Sequence, residues 1–230
     1  MTALTVAIEG SDGAGKATQT EMLAVYLQEI GYKVGRLSFP RYEGTPAGRM
    51  LFEFLKSDRA ADYDFVNANP RMASRIYAQD RFDSLDHINE LIERNDVVIF
   101  DRYVESNLLH QGGKMKSDLE KTDFAKWLFS LEYGELGLPK PDLTIYLNLP
   151  YLISYSRAHK RAKEKGEKLD AVESSMEYVR NGWQAGQLYA SLFDWKVVEC
   201  IFDDNPSIPV FERGATEIHK ELREMVERKM

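Results

Sequence analysis

The sequence has few of the residues that build disulfides or metal centres. Its one cysteine, Cys200, cannot form an internal disulfide, and the four histidines (His87, His110, His159 and His219) are too scattered to form a metal-ligand pattern. We expect each histidine to be a hydrogen-bonded or surface side chain. Apolar runs stay short of the roughly 18 residues of a membrane span, and no basic and apolar leader precedes the first predicted strand. These absences favour a cytoplasmic protein with no membrane partner.

The sequence also has fewer positively charged residues than negatively charged ones. The chain has 30 Lys and Arg residues against 37 Asp and Glu residues, a formal net charge of −7. This balance disfavours a general nucleic-acid coat, so we expect no nucleic-acid partner. The 230 residues suffice for one sizeable domain with its own core. No internal repeat or interdomain linker is evident, and we expect a single domain over residues 1–230.

Apolar strand-like segments alternate with helical patterns along the chain. This alternation predicts an α/β fold, with a parallel sheet covered by helices on both faces. Ligands in such sheets bind beyond the carboxyl ends of the strands. The predicted strands are Leu4–Glu9, Lys33–Phe39, Asp96–Asp101, Pro141–Leu147 and Trp195–Ile201. The predicted helices are Lys16–Ile30, Thr45–Lys56, Pro70–Arg94, two segments within Val104–Leu136, Leu152–Ala162, Ala171–Leu192 and Val210–Arg228.

The first predicted strand leads into a glycine-rich turn typical of a phosphate-binding P-loop. Gly10, Gly15 and Lys16 fit the spacing, in which backbone N–H groups and the lysine meet phosphate oxygens. Ala17 stands where the pattern has a Mg²⁺-binding hydroxyl, and Thr18 lies one residue late, about 100° round the helix. The alternative is an ordinary glycine-rich turn between strand and helix. The loop residues expected at the ATP phosphates are Gly10, Ser11, Asp12, Gly13, Ala14, Gly15, Lys16, Ala17 and Thr18.

Polar side chains also follow the second and third predicted strands. Asp101 ends an apolar strand, as does the Mg²⁺-binding aspartate of P-loop enzymes, although many strands end in an aspartate that only forms a turn. Arg102 is a ready bidentate phosphate ligand. Pro40 can fix a tight turn, cis or trans, that directs Arg41 and Tyr42 toward the same rim. The alternative for this segment is a plain loop with a surface arginine.

Two helical segments carry further candidates. Tyr77 and Arg81 are four residues apart and share a helix face, which suits a flat base, but spacing alone favours a core tyrosine beside a solvated arginine. The basic stretch 157–168 resembles a mobile lid whose cations close over phosphates, with Arg157 and Arg161 on one face and Gly166 as a helix interruption. A solvated helix face and a nucleic-acid patch are the alternatives for this stretch.

Taken together, these motifs resemble the thymidylate kinase family of P-loop nucleoside monophosphate kinases over nearly the whole chain. The resemblance implies a three-layer α/β sandwich with a five-stranded parallel sheet, the P-loop NTPase fold, and a lid at about residues 155–170. It implies Mg²⁺-dependent transfer of the γ-phosphate of ATP to dTMP, which gives dTDP and ADP. Relatives are commonly homodimers, so a homodimer is expected. The motifs are Glu9–Lys16, Phe39–Tyr42, Tyr77 with Arg81, Asp101–Asn107 and the lid.

The resemblance also implies roles at the phosphates. Lys16 and the loop amides would hold the ATP phosphates, and Asp12 and Asp101 would organise Mg²⁺ and the acceptor. Arg102 would bridge the donor and acceptor phosphates. Some members carry a catalytic arginine within the P-loop, where this chain has glycine. The implied catalytic arginines are therefore those of the lid, Arg157 and Arg161.

On the acceptor side, the resemblance implies that Tyr77 stacks on thymine, Arg81 reaches a base carbonyl and Asn107 reads the base edge. It places Arg41 and Tyr42 near the acceptor phosphate, and Phe39 beside the sugar and base. The full set of implied substrate-binding residues is Phe39, Arg41, Tyr42, Tyr77, Arg81, Arg102, Asn107 and His110.

Two departures from the family pattern bear on chemistry. Ala17 removes the usual Mg²⁺ hydroxyl, and we expect Asp12 and water to compensate. His110 stands where many relatives have an aromatic ring near the sugar, which bears on deoxyribose selectivity; we expect measurable discrimination of dTMP over UMP. Two other functions remain open at this point: a kinase for another (deoxy)nucleoside monophosphate, and a P-loop nucleotide-binding module without phosphotransfer.

Overall fold

The computed structural model of the chain describes residues 2–56, 66, 68–165, 175–202 and 212–230. Its centre is a five-stranded sheet with the order β2-β3-β1-β4-β5, in which every neighbouring pair is parallel. All five predicted strands are present, with ends that differ by one or two residues. The strands are β1 (Leu4–Gly10), β2 (Val34–Ser38), β3 (Val97–Asp101), β4 (Leu143–Asn148) and β5 (Lys196–Glu199).

The helices agree with the predicted segments in most places. They are α1 (Lys16–Glu29), α2 (Pro46–Lys56), α3 (Pro70–Phe82), α4 (Leu85–Arg94), α5 (Glu105–His110), α6 (Asp118–Phe129), α7 (Tyr151–Lys165), α8 (Met176–Leu192) and α9 (Ala215–Glu227). The prediction of one helix over 70–94 is wrong, because the chain turns at Asp83 and Ser84 between α3 and α4. Residues 104–136 also form more pieces than the two expected: a 3₁₀ turn (Gly112–Lys114) precedes α6 and a π-helical segment (Ser130–Glu135) follows it.

Three parts of the sequence-based predictions lie outside the described residues. These are the start of the helix expected from Ala171, the start of the helix expected from Val210, and the part of the lid after Lys165, with its Gly166. Within the described part, Ser175 caps α8 by accepting a hydrogen bond from the Tyr178 amide at 3.3 Å.

The sheet buries side chains on both faces because successive residues of a strand point to opposite sides. One face packs against α5, α6 and α8 through a cluster that includes Phe100, Tyr103, Leu108, Phe124, Tyr146 and Tyr189. The other face packs against α1 and α9 through a cluster that includes Ile8, Leu23, Leu27, Ile99 and Leu222. The molecule is therefore the three-layer α/β sandwich that was expected.

The order of the strands places two predicted motifs side by side. β1 and β3 are neighbours, and Ile8 lies opposite Asp101 in their register. The P-loop follows β1 and Arg102 follows β3, so both lie at the carboxyl edge of the sheet. Among the residues that the structure describes, no helix is both long and apolar enough to cross a membrane.

Candidate active site

The P-loop connects β1 to α1 through glycines that other residues could replace only with strain. At Gly10, a Cβ atom would lie 2.8 Å from the Leu147 carbonyl oxygen of β4. Gly15 immediately precedes α1 with a φ of +91°, a left-handed conformation that favours glycine. Ala17 and Thr18 are exposed on the first turn of α1, so the loop opens toward solvent at the end of this helix.

Lys16 is buried at the start of α1, with 6% of its surface exposed. Its ammonium group donates hydrogen bonds to the carbonyl oxygens of Gly10 at 2.9 Å and Ser11 at 3.0 Å. Burial and the charge of Arg102 lower the pKa of Lys16 to about 8, so the group still carries its positive charge at pH 7. A cation is thereby held at the centre of the loop.

Arg102 joins the end of β3 to the P-loop. Its backbone takes a φ of +66°, and its amide donates to the Ile8 carbonyl of β1 at 3.1 Å. One guanidinium nitrogen, Nη2, donates to the Asp12 carboxylate. Burial works against both charges, but their attraction prevails: Arg102 and Lys16 hold the pKa of Asp12 well below its ordinary value, and Asp12 raises the pKa of Arg102. Both groups are therefore charged at neutral pH.

His110 lies beside this pair at the end of α5. Its Nε2 is 3.0 Å from Nη1 of Arg102, and its ring stacks on Tyr178 with 6.0 Å between centroids. Burial and the Arg102 charge lower the pKa of His110 to about 3, so the ring is neutral at pH 7. His110 is thus part of the site and not an isolated surface histidine.

The segment after β2 is fixed by an aspartate that sequence reasoning missed. The Phe39–Pro40 bond is cis. Asp80 of α3 is 1% exposed, and its carboxylate accepts hydrogen bonds from the Arg41 amide at 2.9 Å and from the Thr45 hydroxyl. Nη1 of Arg41 donates to the Ser84 hydroxyl at 3.1 Å. Arg41 is therefore anchored to the turn between α3 and α4.

Two aromatic residues of this segment have separate surroundings. Phe39 is 3% exposed and packs in the core, with its ring 5.9 Å from that of Tyr103. Tyr42 packs edge-on against Phe52 of α2, with 5.8 Å between centroids, and the Lys56 ammonium lies 5.0 Å from the centroid of its ring. Tyr42 therefore packs against α2, whereas Phe39 belongs to the core.

Arg81 is buried, so the expectation of a solvated arginine from spacing alone is wrong. Its guanidinium forms a bidentate ion pair with Glu132, with nitrogen–oxygen distances of 2.5 and 2.7 Å, and donates to the Tyr103 carbonyl at 3.2 Å. Asn107 donates to the same Glu132 carboxylate at 3.1 Å. Tyr77, one turn before Arg81, is partly buried. Arg81 and Asn107 thus meet at Glu132, and Tyr77 shares a face of α3 with Arg81.

The described part of the basic stretch lies against the P-loop. Nη1 of Arg157 donates to the Gly13 carbonyl at 2.7 Å, and Nη2 pairs with Glu212 at 2.5 Å. Ser154 of the same helix donates to the Asp12 carbonyl at 2.5 Å. Arg161 lies one turn after Arg157 on the same face of α7, and its positive charge adds to those of Arg102 and Lys16 in lowering the pKa of Asp12.

Comparison with known proteins decides the family. The model of the thymidylate kinase family matches residues 8–187. A thymidylate kinase of Mycobacterium tuberculosis (strain CDC 1551 / Oshkosh) is 33% identical over 188 residues, which cover 81% of this chain and 84% of the relative. The chain belongs to the thymidylate kinase family.

Two further comparisons extend over more of the chain. The thymidylate kinase of Thermomicrobium roseum is 28% identical over 219 residues, which cover 95% of this chain and 97% of the relative. The solved structure of thymidylate kinase from Candida albicans has a TM-score of 0.71 at 20% identity, and the match covers 99% of this chain and 92% of that one. This structural likeness shows that the chain has the P-loop NTPase fold.

The donor atoms of this thymidylate kinase family site fit a hydrated Mg²⁺ ion. Such an ion takes one or two protein carboxylates and completes its shell with water and phosphate oxygens. Asp12 in the P-loop and Asp101 at the end of β3 offer carboxylates, while Ala17 offers no hydroxyl. In the described ranges, no three His, Cys, Asp or Glu side chains form a group that could hold a metal by themselves. The two carboxylates would fit an ion whose other ligands are water and phosphate oxygens.

Sequence reasoning missed Glu132 and Asp80, the two buried carboxylates that fix Arg81 and Arg41. Their partners lie 51 and 39 positions away, so no local pattern predicts the contacts. The available signal was weak: Glu132 is an acidic residue within the largely apolar segment 127–133, where a buried charge requires a partner.

Proposed function

We propose that this chain transfers the γ-phosphate of ATP to the 5′-phosphate of dTMP, giving ADP and dTDP. The observation that carries the proposal is the contact between Arg102 and Asp12, which unites the P-loop with the end of β3. Family membership supports dTMP as the acceptor. A cytoplasmic location and a single domain with a lid at about 155–170 belong to the same proposal.

Phosphoryl transfer depends on positioning and on neutralising negative charge. Lys16 and the loop amides from Gly10 to Thr18 bind the ATP phosphates. Arg102 lies between the loop and the acceptor, where its guanidinium bridges the two phosphate groups. Arg157 and Arg161 of α7 supply the remaining positive charge, as expected where the loop itself has Gly13. Reaching a phosphate requires Arg157 to exchange its contact with Gly13 or with Glu212.

The acceptor base occupies the region of Tyr77, Arg81 and Asn107 in this proposal. A guanidinium has five N–H donors. The Glu132 and Tyr103 contacts take three of those of Arg81, as far as the described residues show, which leaves two for a base carbonyl. Tyr77 stacks on the base, and Arg41 and Tyr42 bind near the acceptor phosphate.

Asp12 and Asp101 would hold Mg²⁺ together with water and the phosphates. When bound, the ion neutralises the charge that develops on the transferring group. Asp12 has a second function in the protein itself, since it orients Arg102 through their ion pair. Because Ala17 offers no hydroxyl, we expect a steep dependence of activity on Mg²⁺ concentration.

The most direct test is an ADP-release assay with ATP and a panel of dTMP, dUMP, dGMP, dCMP and UMP. We expect dTMP to have the highest kcat/KM and UMP a lower one. A higher kcat/KM for another monophosphate would mean that this monophosphate, and not dTMP, is the preferred acceptor. Absence of turnover with every acceptor, at any Mg²⁺ concentration, would favour a nucleotide-binding module without phosphotransfer.

The variant Lys16→Ala separates kinase from binding module. A kinase loses turnover by orders of magnitude while its fold persists, because the cation acts on the phosphates during transfer. The matched control is Lys196→Ala, a lysine at the start of β5 whose ammonium pairs with Asp194 at 3.1 Å. This control is expected to retain wild-type turnover.

A further inference from the structure

In the hydrogen bond between Arg102 and His110, only Arg102 can be the donor. Arginine donates hydrogen bonds and cannot accept them. The 3.0 Å contact between Nη1 of Arg102 and Nε2 of His110 therefore requires a lone pair on Nε2. A neutral imidazole with a free Nε2 carries its proton on Nδ1.

The ring of His110 is held in place from a second side. Tyr178, in the first turn of α8, stacks on it with an interplanar angle of 17°. The ammonium of Lys114 lies 5.7 Å from the centroid of the Tyr178 ring and donates to Gln111 at 2.8 Å. The depressed pKa of His110 agrees with a ring that stays neutral beside these cations. His110 is thus a fixed acceptor on α5.

We propose that His110 is a positioning residue for Arg102, accepting its Nη1–H through Nε2 while Asp12 accepts from Nη2. This inference rests on the proposed function, in which Arg102 bridges the two phosphates. Two acceptors on different elements, the P-loop and α5, fix the plane of the guanidinium, whereas Asp12 alone leaves it free to swing about one contact. The preorganised plane is what a bidentate phosphate ligand needs.

The kinetic test compares three single variants in the full chain. His110→Phe keeps an aromatic ring and removes the acceptor, and we expect kcat with dTMP to fall about tenfold, in the range of one charge-assisted hydrogen bond. His110→Gln removes the ring and keeps a carbonyl acceptor, and we expect it to recover at least half of that loss on a logarithmic scale. His87→Phe on α4 is the matched control with wild-type kcat. Equal loss in the Phe and Gln variants would overturn the proposal, because the ring and not the acceptor would then matter.

A double-mutant cycle distinguishes positioning of Arg102 by His110 from a merely structural role of His110. In an Arg102→Lys background, the additional effect of His110→Phe on kcat should shrink to less than about twofold, since the two residues act through one contact. Additive losses would contradict the proposal.

Nuclear magnetic resonance tests the contact without any turnover. In protein labelled with ¹⁵N at histidine, the His110 signals, assigned by their loss in His110→Phe, should show a protonated Nδ1 and an unprotonated Nε2 at pH 7. They should shift in Arg102→Lys. A proton on Nε2 overturns the proposal. Should the wild-type protein lack dTMP kinase activity while this tautomer is present, the proposed function fails and the contact stands.

Discussion

At the scale of single residues, the site depends on buried charges that satisfy one another. Arg81 is 2% exposed and Glu132 is completely buried. Ion pairs of this kind add little to stability as a pair, but removal of one partner leaves an uncompensated charge in the interior. The pair therefore fixes Arg81 and Asn107 more than it stabilises the fold.

Arg81→Met is expected to lower the free energy of unfolding by about 3–5 kcal/mol, because Glu132 is then buried without its partner. The matched control is Arg36→Met. The ion pair between Arg36 and Glu21 is solvent-exposed, with 44% and 60% of the two side chains accessible. Its loss should lower the free energy of unfolding by less than about 1 kcal/mol. Urea unfolding of both variants checks this. Equal effects would show that burial does not distinguish the two pairs.

Glu105 gives the site region a pH dependence. Its Oε1 accepts a hydrogen bond from the Tyr133 hydroxyl at 2.5 Å, and burial, with the nearby negative charge of Glu9, raises the pKa of Glu105 to about 7. The native state therefore holds this proton between the unfolded pKa, near 4.5, and about 7, while the unfolded chain releases it. The contribution of Glu105 to the free energy of unfolding therefore falls as the pH rises from about 4.5 to about 7, and it stays lower above pH 7.

Glu105→Gln removes this pH dependence and retains an acceptor for Tyr133. The free energy of unfolding of the variant, relative to the unmodified protein, should therefore rise by about 3 kcal/mol between pH 4.5 and pH 8. Paired urea titrations at those pH values measure the difference, in which the other titrating groups cancel. A difference that is independent of pH would mean that Glu105 ionises normally.

At the scale of elements, the turn between α3 and α4 shows how tertiary contacts end a helix that sequence favours. No proline or glycine lies between Arg71 and Arg94. The Ser84 hydroxyl donates to the Asp80 carbonyl at 2.8 Å and accepts from Arg41 at 3.1 Å. Asp80 in turn anchors the segment after β2, so the turn and the Arg41 segment stabilise each other.

Ser84→Ala is expected to free the Arg41 guanidinium from this turn. If Arg41 binds the acceptor phosphate, KM for dTMP should rise severalfold with little change in kcat, and stability should fall by about 1 kcal/mol for the lost hydrogen bonds. Ser191→Ala, at an exposed position of α8, is the control and should change neither quantity. A loss of kcat with constant KM would argue that Arg41 acts in the transfer step instead.

At the scale of the whole molecule, the sequence predicts the three layers of the fold and the edge of the sheet at which the site lies. It does not predict the order of the strands. Alternation of apolar strands with helices predicts a parallel sheet with two covered faces. Asp101 and Arg102 are predictable because Asp101 ends a strand and Arg102 directly follows it. The neighbours of β1 depend on contacts between distant segments. The same holds for Glu132 and Asp80, whose partners lie in other helices.

The expected homodimer also concerns the molecule as a whole, because it requires a surface at which two copies of the chain meet. α3 and α6 adjoin through Arg71 and Arg75, whose guanidinium carbons lie 5.0 and 5.5 Å from the centroid of the Trp127 ring. Met72 of this face is 42% exposed, whereas Phe129 is partly buried and packs against Tyr133 and Phe193. We propose that this face of α3 and α6 forms the contact between two copies of the chain.

Sedimentation velocity tests the dimer. The unmodified protein is expected to sediment as two chains, and Met72→Asp as one, because the substitution places a charge in an apolar contact. Val25→Asp is the matched control: Val25 is 43% exposed on α1, away from α3 and α6, and its variant should remain a dimer. A single-chain species for the unmodified protein at all concentrations would refute the interface.

The proposed function requires that the P-loop and the Asp101–Arg102 turn face one cleft, in which two nucleotides meet through their phosphates. A crystal structure with a bisubstrate compound, adenosine and thymidine joined through a chain of phosphates, tests this most directly. We expect the phosphate chain to contact Lys16 and Arg102 and the thymine ring to lie against Tyr77. Phosphates that bind away from Arg102, or a thymine ring far from Tyr77, would contradict it.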